Sequence, residues 1–153
     1  MIGVREVAET TLRIPYPYEE KHAREFVASA AKENELRLII RRRSDRRLCG
    51  GIGLHPENQH QRAELGYWIG VPFWRNGYAT EAALAVVRYG FEVLKFNRIF
   101  AAHFAGNDAS GRVLKKVGMQ YEGRMRQAIR KWDKFVDLER YAILREDYLA
   151  KGV

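Results

Sequence analysis

Residues 63–82 read Ala-Glu-Leu-Gly-Tyr-Trp-Ile-Gly-Val-Pro-Phe-Trp-Arg-Asn-Gly-Tyr-Ala-Thr-Glu-Ala, and they join a strand pattern, a tight polar turn and a helix pattern. The apolar strand pattern runs into Pro72, the turn ends at Gly77, and an amphipathic helix pattern follows at once. The first four N–H groups of a helix have no partner inside the helix, and the helix dipole favours negative charge there. We therefore expect a phosphate or pyrophosphate group at this helix start, which Gly77 would allow the backbone to approach closely.

The turn alone leaves its role open. It lacks the lysine and the spacing of a Walker loop, and it lacks the three-glycine dinucleotide fingerprint. Because many strand-to-helix turns contain a glycine and bind no ligand, a purely structural turn remains the alternative at this point.

The residues on both sides of the turn resemble the acetyl-coenzyme A loop of the GNAT N-acetyltransferases. Within that family, they resemble the branch of ribosomal-protein N-terminal (alanine/serine) acetyltransferases. There a strand reading Glu-Leu-Gly-Tyr-Trp leads into Trp-x-x-Gly-Tyr-Ala-Thr-Glu-Ala, as at residues 64–68 and 74–82. Arg75 stands where glycine is usual. The stretch from Asn107 to Met119 resembles the second signature of the family, and the whole resemblance covers roughly residues 10–148.

The resemblance implies an α+β GNAT fold, with a mostly antiparallel twisted sheet that splays at the cofactor site and helices on both faces. The first strand of that fold is expected to be missing here, so the strand predicted at 36–42 would form a sheet edge. The resemblance also implies acetyl-CoA as co-substrate and no metal. The implied cofactor contacts are Ile69, Gly70, Val71, Trp74, Arg75, Asn76, Gly77, Tyr78, Ala79, Thr80, Asn107 and Ser110.

Two residues are candidates for catalysis. Strand alternation puts Glu64 on the face opposite Leu65, and the resemblance makes it the candidate base; a surface or salt-bridged glutamate is the alternative. Ser110 is the candidate proton donor to the departing thiolate, because the tyrosine that many relatives carry on this helix is absent. Tyr16 and Tyr18 are candidate acceptor contacts, with half-buried packing as their alternative.

The expected activity is transfer of an acetyl group from acetyl-CoA to a primary amine by direct attack. The acceptor would be a protein N-terminus or a small molecule. Two other functions stay open, a non-catalytic acyl-CoA-binding module and a basic RNA- or ribosome-binding protein. A formal net charge of +8 and the arginines of residues 41–47 suit a polyanionic partner, but no aromatic-interleaved RNA-binding signature accompanies them.

Length and composition set further bounds. A chain of 153 residues predicts a single domain over 1–153, and 30% charged residues indicate a globular class. With a single cysteine, no apolar run of membrane-spanning length and no signal peptide, we expect a cytoplasmic location and no membrane contact. The four histidines show no metal-ligand spacing. Monomer and homodimer both stay open.

Several other elements follow from periodicity. Residues 19–33 predict a helix with an apolar face, and residues 36–42 an alternating strand. The glycine-rich strand at 48–55 indicates a bulge or a close backbone approach. Residues 119–132 and 134–144 predict a closing hairpin, and residues 146–153 are expected to be a tail.

Overall fold

The computed structural model describes residues 1–151, which form six strands and five α-helices. The strands are β1 (Leu36–Arg41), β2 (Leu48–Glu57), β3 (Arg62–Ile69), β4 (Arg98–Phe104), β5 (Gln120–Lys131) and β6 (Lys134–Leu144). The helices are α1 (Arg5–Thr10), α2 (Glu20–Ala28), α3 (Tyr78–Glu92), α4 (Asp108–Val117) and α5 (Arg145–Ala150). The strands form one sheet in the order β1-β2-β3-β4-β6-β5, antiparallel at every junction except β3 with β4.

The main core lies where α3 and α4 cover one face of the sheet. The apolar stripe of α3, including Val86, Val87 and Phe91, packs with Leu114 of α4 against the buried face of the strands. Gly90 interrupts this stripe at a helix-propensity cost, and a Cβ there would lie only 2.7 Å from Ile99 Cδ1. The glycine therefore allows α3 to lie close to β4.

The glycines of β2 allow close approach of the neighbouring strands. The pairing of β2 with β3 runs unbroken from Gly50 to Glu57, whereas the register of β2 with β1 shifts by one residue between Gly50 and Leu48, an irregularity of the kind that the glycines predict. A Cβ at Gly50 would lie 2.1 Å from the carbonyl O of Trp68, and one at Gly51 would lie 2.6 Å from the Trp68 indole nitrogen.

The sheet opens between β3 and β4. The two strands pair in parallel at only three positions, the last joining Glu64 to Phe100. Beyond that point β3 continues to Ile69 and β4 to Phe104 without pairing to each other. This gap is the splay that the family resemblance predicts.

The first described residues contain a helix and no strand. α1 and the turns around it occupy the first 14 residues, and among the described residues β1 pairs only with β2. β1 is therefore a sheet edge, as expected from the missing first strand. Arg37 and Arg41 place charge along it, which discourages pairing with a second chain.

Two predictions for helices were wrong. α2 ends at Ala28 rather than 33, and its apolar side does not enter the core, since Phe26 is 55% exposed and Val27 is 82% exposed. Residues 146–153 were predicted as a tail, but Arg145–Ala150 forms α5, and residues 152–153 lie outside the described residues. The Tyr148 ring there stacks on Phe91 at 5.2 Å between centroids, so this segment completes the core.

Candidate functional site

The turn between β3 and α3 has the backbone that an anion site requires. Gly77 is the N-cap of α3 with φ +80°, and a Cβ there would meet no atom within 4 Å. Arg75 has φ +62°, so it adopts the left-handed conformation usual for the glycine that it replaces. The first α-helical bond runs from Glu81 N–H to the Gly77 carbonyl, which leaves the N–H groups of residues 78–80 ahead of the helical ladder.

Two predicted cofactor residues shape this turn through their side chains. The Trp74 indole N–H donates to the Ile69 carbonyl at 2.7 Å. The Asn76 amide donates to the carbonyls of Phe73 at 3.1 Å and Trp74 at 2.8 Å. Both side chains are thereby committed to the turn itself, as is the Trp74 N–H, which donates to the Val71 carbonyl at 3.2 Å.

One predicted backbone donor is already in use. The N–H of Gly70 donates to the carbonyl O of Cys49 at 2.8 Å, which continues the β2–β3 ladder past Ile69. Gly70 therefore uses its N–H within the sheet, and its contact with the cofactor stays a prediction.

The start of α4 faces the same gap. Asn107 caps α4, and its side-chain oxygen accepts from the Ser110 N–H at 3.3 Å. The Ser110 hydroxyl lies 2.6 Å from the hydroxyl of Tyr67, which comes from the buried face of β3. Sequence reasoning missed Tyr67, because alternation placed it on the core face and nothing in the local pattern indicates contact with a helix 43 residues later.

Glu64 lies at the point where β3 and β4 separate. It faces away from Leu65 and Tyr67, as alternation predicts, and its carboxylate accepts from Arg13 at 2.7 Å. Its side chain is 27% exposed, so solvent and a substrate can reach it. Arg13 is a further residue that sequence reasoning missed, because it lies 51 positions away from Glu64 in the sequence.

The two candidate acceptor tyrosines lie on the N-terminal segment. The Tyr16 ring lies 6.3 Å from the Trp132 ring at the β5–β6 turn, and Tyr18 packs beside His22. Lys131 anchors this segment by donating to the carbonyls of Thr11 and Ile14, and burial lowers the pKa of its ammonium group. These contacts bring Tyr16 to the hairpin. The role of Tyr16 and Tyr18 in acceptor binding stays a prediction.

A cavity of about 530 Å³ lies elsewhere, between α4 and the β5–β6 hairpin. It is lined by His103, Tyr121, Glu139 and basic side chains of α4, and not by the turn or Glu64. His103 is buried there, and its Nδ1 donates to the Phe104 carbonyl at 2.8 Å. Among the described residues, no cluster of three potential metal ligands exists.

The basic hairpin between β1 and β2 borders the turn. Arg42 pairs with Asp45, which lowers the pKa of that carboxyl to about 2. The Arg42 guanidinium also lies 5.4 Å from the centre of the Phe73 ring. The arginine cluster of residues 41–47 is therefore a neighbour of the candidate phosphate site.

Comparison with known proteins decides the family. The model of the acetyltransferase (GNAT) domain matches residues 3–120. The chain belongs to the GNAT family. YoaA of Bacillus subtilis, named an uncharacterized N-acetyltransferase, is 46% identical over 103 residues. The provisionally named ribosomal N-acetyltransferase YdaF of the same organism is 34% identical over 105 residues, which agrees with the predicted branch.

Solved structures support the same fold for this GNAT chain. A GNAT-family acetyltransferase from Bacillus anthracis superposes with a TM-score of 0.81 at 29% identity, over 94% of this chain and 84% of that one. The YoaA match covers 67% of this chain and 58% of YoaA; the YdaF match covers 68% and 57%. Within the described residues, no helix is long and apolar enough to span a bilayer.

Proposed function

We propose that this GNAT chain transfers the acetyl group of acetyl-CoA directly to a primary amine. The observation that carries the proposal is the gap between β3 and β4, which opens beside the Gly77 turn and the N-terminus of α3. In this arrangement the pantetheine arm would enter the gap, and the pyrophosphate would bind the free N–H groups of residues 78–80.

The basic hairpin supports cofactor binding at this turn. Coenzyme A carries several phosphate charges, and Arg42 lies against Phe73 within the turn region. Positive charge concentrated next to a binding site raises the local concentration of an anionic ligand. We therefore assign the arginine cluster to attraction of the cofactor, which needs no nucleic-acid partner.

Glu64 is the proposed base. It faces the gap from the side opposite α3 and α4, so an amine could approach between Glu64 and the N-terminal segment that carries Tyr16 and Tyr18. In the reaction the amine nitrogen attacks the thioester carbonyl, the C–S bond breaks, and its electron pair goes to sulfur. The proton lost by the amine passes to Glu64, directly or through water.

The acceptor is the unassigned part of the reaction. YdaF carries a ribosomal N-acetyltransferase name, and SpeG of Vibrio cholerae, a spermidine N-acetyltransferase, shares the fold at 19% identity. We propose protein N-terminal amines first, because the sequence signature at 64–82 and YdaF point to the same branch.

A turnover screen tests this function. The chain is incubated with acetyl-CoA and, separately, with peptides that have free N-terminal alanine or serine, with polyamines and with aminoglycosides, and free-thiol release is followed. We expect release above the no-acceptor rate with the peptides. Release only with small amines would reassign the acceptor, and no release with any class would contradict catalysis.

A further inference from the structure

The hydroxyl of Tyr67 bridges the two sides of the gap. Tyr67 Oη lies 2.6 Å from Ser110 Oγ and 3.5 Å from the Ser110 carbonyl O. Since β3 and β4 pair no further than Glu64, this contact joins the separated part of β3 to the helix that follows β4. It therefore fixes a side chain at the point where the cofactor would pass.

The surroundings favour Tyr67 as the donor in this contact. A phenol is a stronger hydrogen-bond donor than an aliphatic alcohol, and the contact of Tyr67 Oη with Ser110 Oγ at 2.6 Å is much shorter than its contact with the Ser110 carbonyl O at 3.5 Å, so the tyrosine hydrogen is directed to Ser110 Oγ. The Ser110 N–H is held by Asn107, which fixes the first turn of α4. When Tyr67 donates to Ser110 Oγ, the serine hydrogen is released from that contact and can point into the gap.

We propose that Tyr67 is a positioning residue that holds the Ser110 hydroxyl as a hydrogen-bond donor to the sulfur of the departing coenzyme A. This inference rests on the proposed acetyl transfer. It deepens that proposal by naming a residue that acts through Ser110 and by changing the role given to Ser110 itself.

The chemistry favours hydrogen bonding over proton transfer. Burial raises the pKa of Tyr67 to about 12, although the contact with Ser110 opposes this rise. A simple thiol has a pKa of about 8.5, so moving a proton from this tyrosine through Ser110 to a thiolate would be unfavourable. A donated hydrogen bond strengthens as charge develops on sulfur and requires no transfer, so it stabilises the transition state more than the ground state.

A double-mutant cycle tests the coupling. The variants are Tyr67→Phe, Ser110→Ala and both together, with Tyr148→Phe as the matched control. Tyr148 is also a buried tyrosine with a 2.6 Å hydroxyl contact, to Glu92, but it lies outside the site. We expect Tyr67→Phe to lower kcat about 5- to 10-fold and Ser110→Ala to lower it roughly 100-fold, each with KM for acetyl-CoA within about twofold of the parent.

The cycle has distinct outcomes. If Tyr67 acts through Ser110, Tyr67→Phe has no further effect in the Ser110→Ala background, and Tyr148→Phe leaves kcat unchanged. Independent, multiplicative losses would overturn the proposal. So would a Tyr67→Phe variant with unchanged kcat, or one whose loss appears in KM and melting temperature alone.

A second measurement separates this inference from the proposed function. The thiol of bound coenzyme A is titrated by its thiolate absorbance, without any acceptor. We expect the bound thiol to titrate higher in Tyr67→Phe than in the parent, by roughly 0.5 to 1 pH unit. No difference would overturn the role of Tyr67 even if turnover occurs, whereas a shift without turnover would support it while the proposed transfer fails.

Discussion

At the scale of single residues, Glu64 is the residue proposed to deprotonate the attacking amine. Its carboxylate lies where β3 and β4 separate, and Arg13 holds one oxygen at 2.7 Å. An acceptor amine would therefore meet a carboxylate that is positioned by Arg13 and reachable from solvent.

We predict that Glu64→Gln lowers turnover by about 10²- to 10⁴-fold, the usual cost of losing a general base. Affinity for acetyl-CoA should stay within a few-fold, because Glu64 faces away from the α3 turn. Steady-state kinetics measure the turnover, and calorimetry measures the affinity for acetyl-CoA. Glu122→Gln is the matched control, since Glu122 also pairs with an arginine of the sheet but lies on β5, at the far edge of the sheet from β3. Full activity in Glu64→Gln would place the base elsewhere or mean that the enzyme selects an already neutral amine.

Glu35 lies just before β1 and pairs with Arg37 of β1 and His55 of β2, and it makes stability depend on pH. Burial acts to raise its pKa, but hydrogen bonds from Arg37, the Lys32 N–H and His55 outweigh burial and lower the pKa to about 2. A carboxyl with a depressed pKa stabilises the fold above its unfolded value near 4.5 and loses that contribution as pH falls toward 2.

We predict that Glu35→Gln removes part of this acid sensitivity. It should lower the free energy of unfolding by about 1–2 kcal/mol at pH 7 and have a smaller effect at pH 3. Urea denaturation at both pH values measures the difference. Glu25→Gln, at an exposed position of α2, should change neither value; an equal loss at pH 7 and pH 3 for Glu35→Gln would show that its charge is not the cause.

At the scale of elements, the N-terminus of α3 is the proposed anion site. We predict that Gly77→Asp weakens acetyl-CoA binding at least tenfold, because it places a negative charge beside the pyrophosphate. Gly77→Asn is the matched control: asparagine has the same shape, tolerates the left-handed backbone and carries no charge, so it should retain most of the affinity. Calorimetric titration measures both. Equal affinities for the two variants would contradict a phosphate site here.

The sequence predicts the elements whose signal is local. The β3–turn–α3 unit follows from alternation into Pro72, the glycine at 77 and the helical stripe after it, and all three lie as expected. The packing of α2 was predicted wrongly, because periodicity shows that a helix has an apolar face but does not show whether another element covers that face. α5 was missed because six residues carry too short a pattern, and its stability comes from Tyr148 packing on Phe91.

The residues of the site also fall into two groups, those that the local sequence predicts and those that it does not. The cofactor turn and the facing of Glu64 could be predicted because motif and alternation fix them. Two contacts could not be predicted, that of Arg13 with Glu64 and that of Tyr67 with Ser110. Each joins residues that are far apart in the sequence and that only the folded sheet brings together. The engaged Gly70 N–H was missed for a related reason, since the β2–β3 ladder extends one residue past the strand.

At the scale of the whole molecule, the proposed acetyl transfer requires that the open sheet bind acetyl-CoA in its native state. A ligand that binds only the folded chain raises stability by about 2.7 kcal/mol at a hundredfold excess over its dissociation constant. For a chain of this size, that corresponds to a rise in melting temperature of roughly 5 to 10 °C. The gap, the α3 turn and α4 would all contribute to the same binding event.

The most direct test is the melting temperature of the purified chain with and without saturating acetyl-CoA, with calorimetric titration of the same sample. We predict a rise of several degrees together with a measurable binding heat. An unchanged melting temperature with no detectable binding would contradict the assignment of this chain as an acetyl-CoA-dependent transferase.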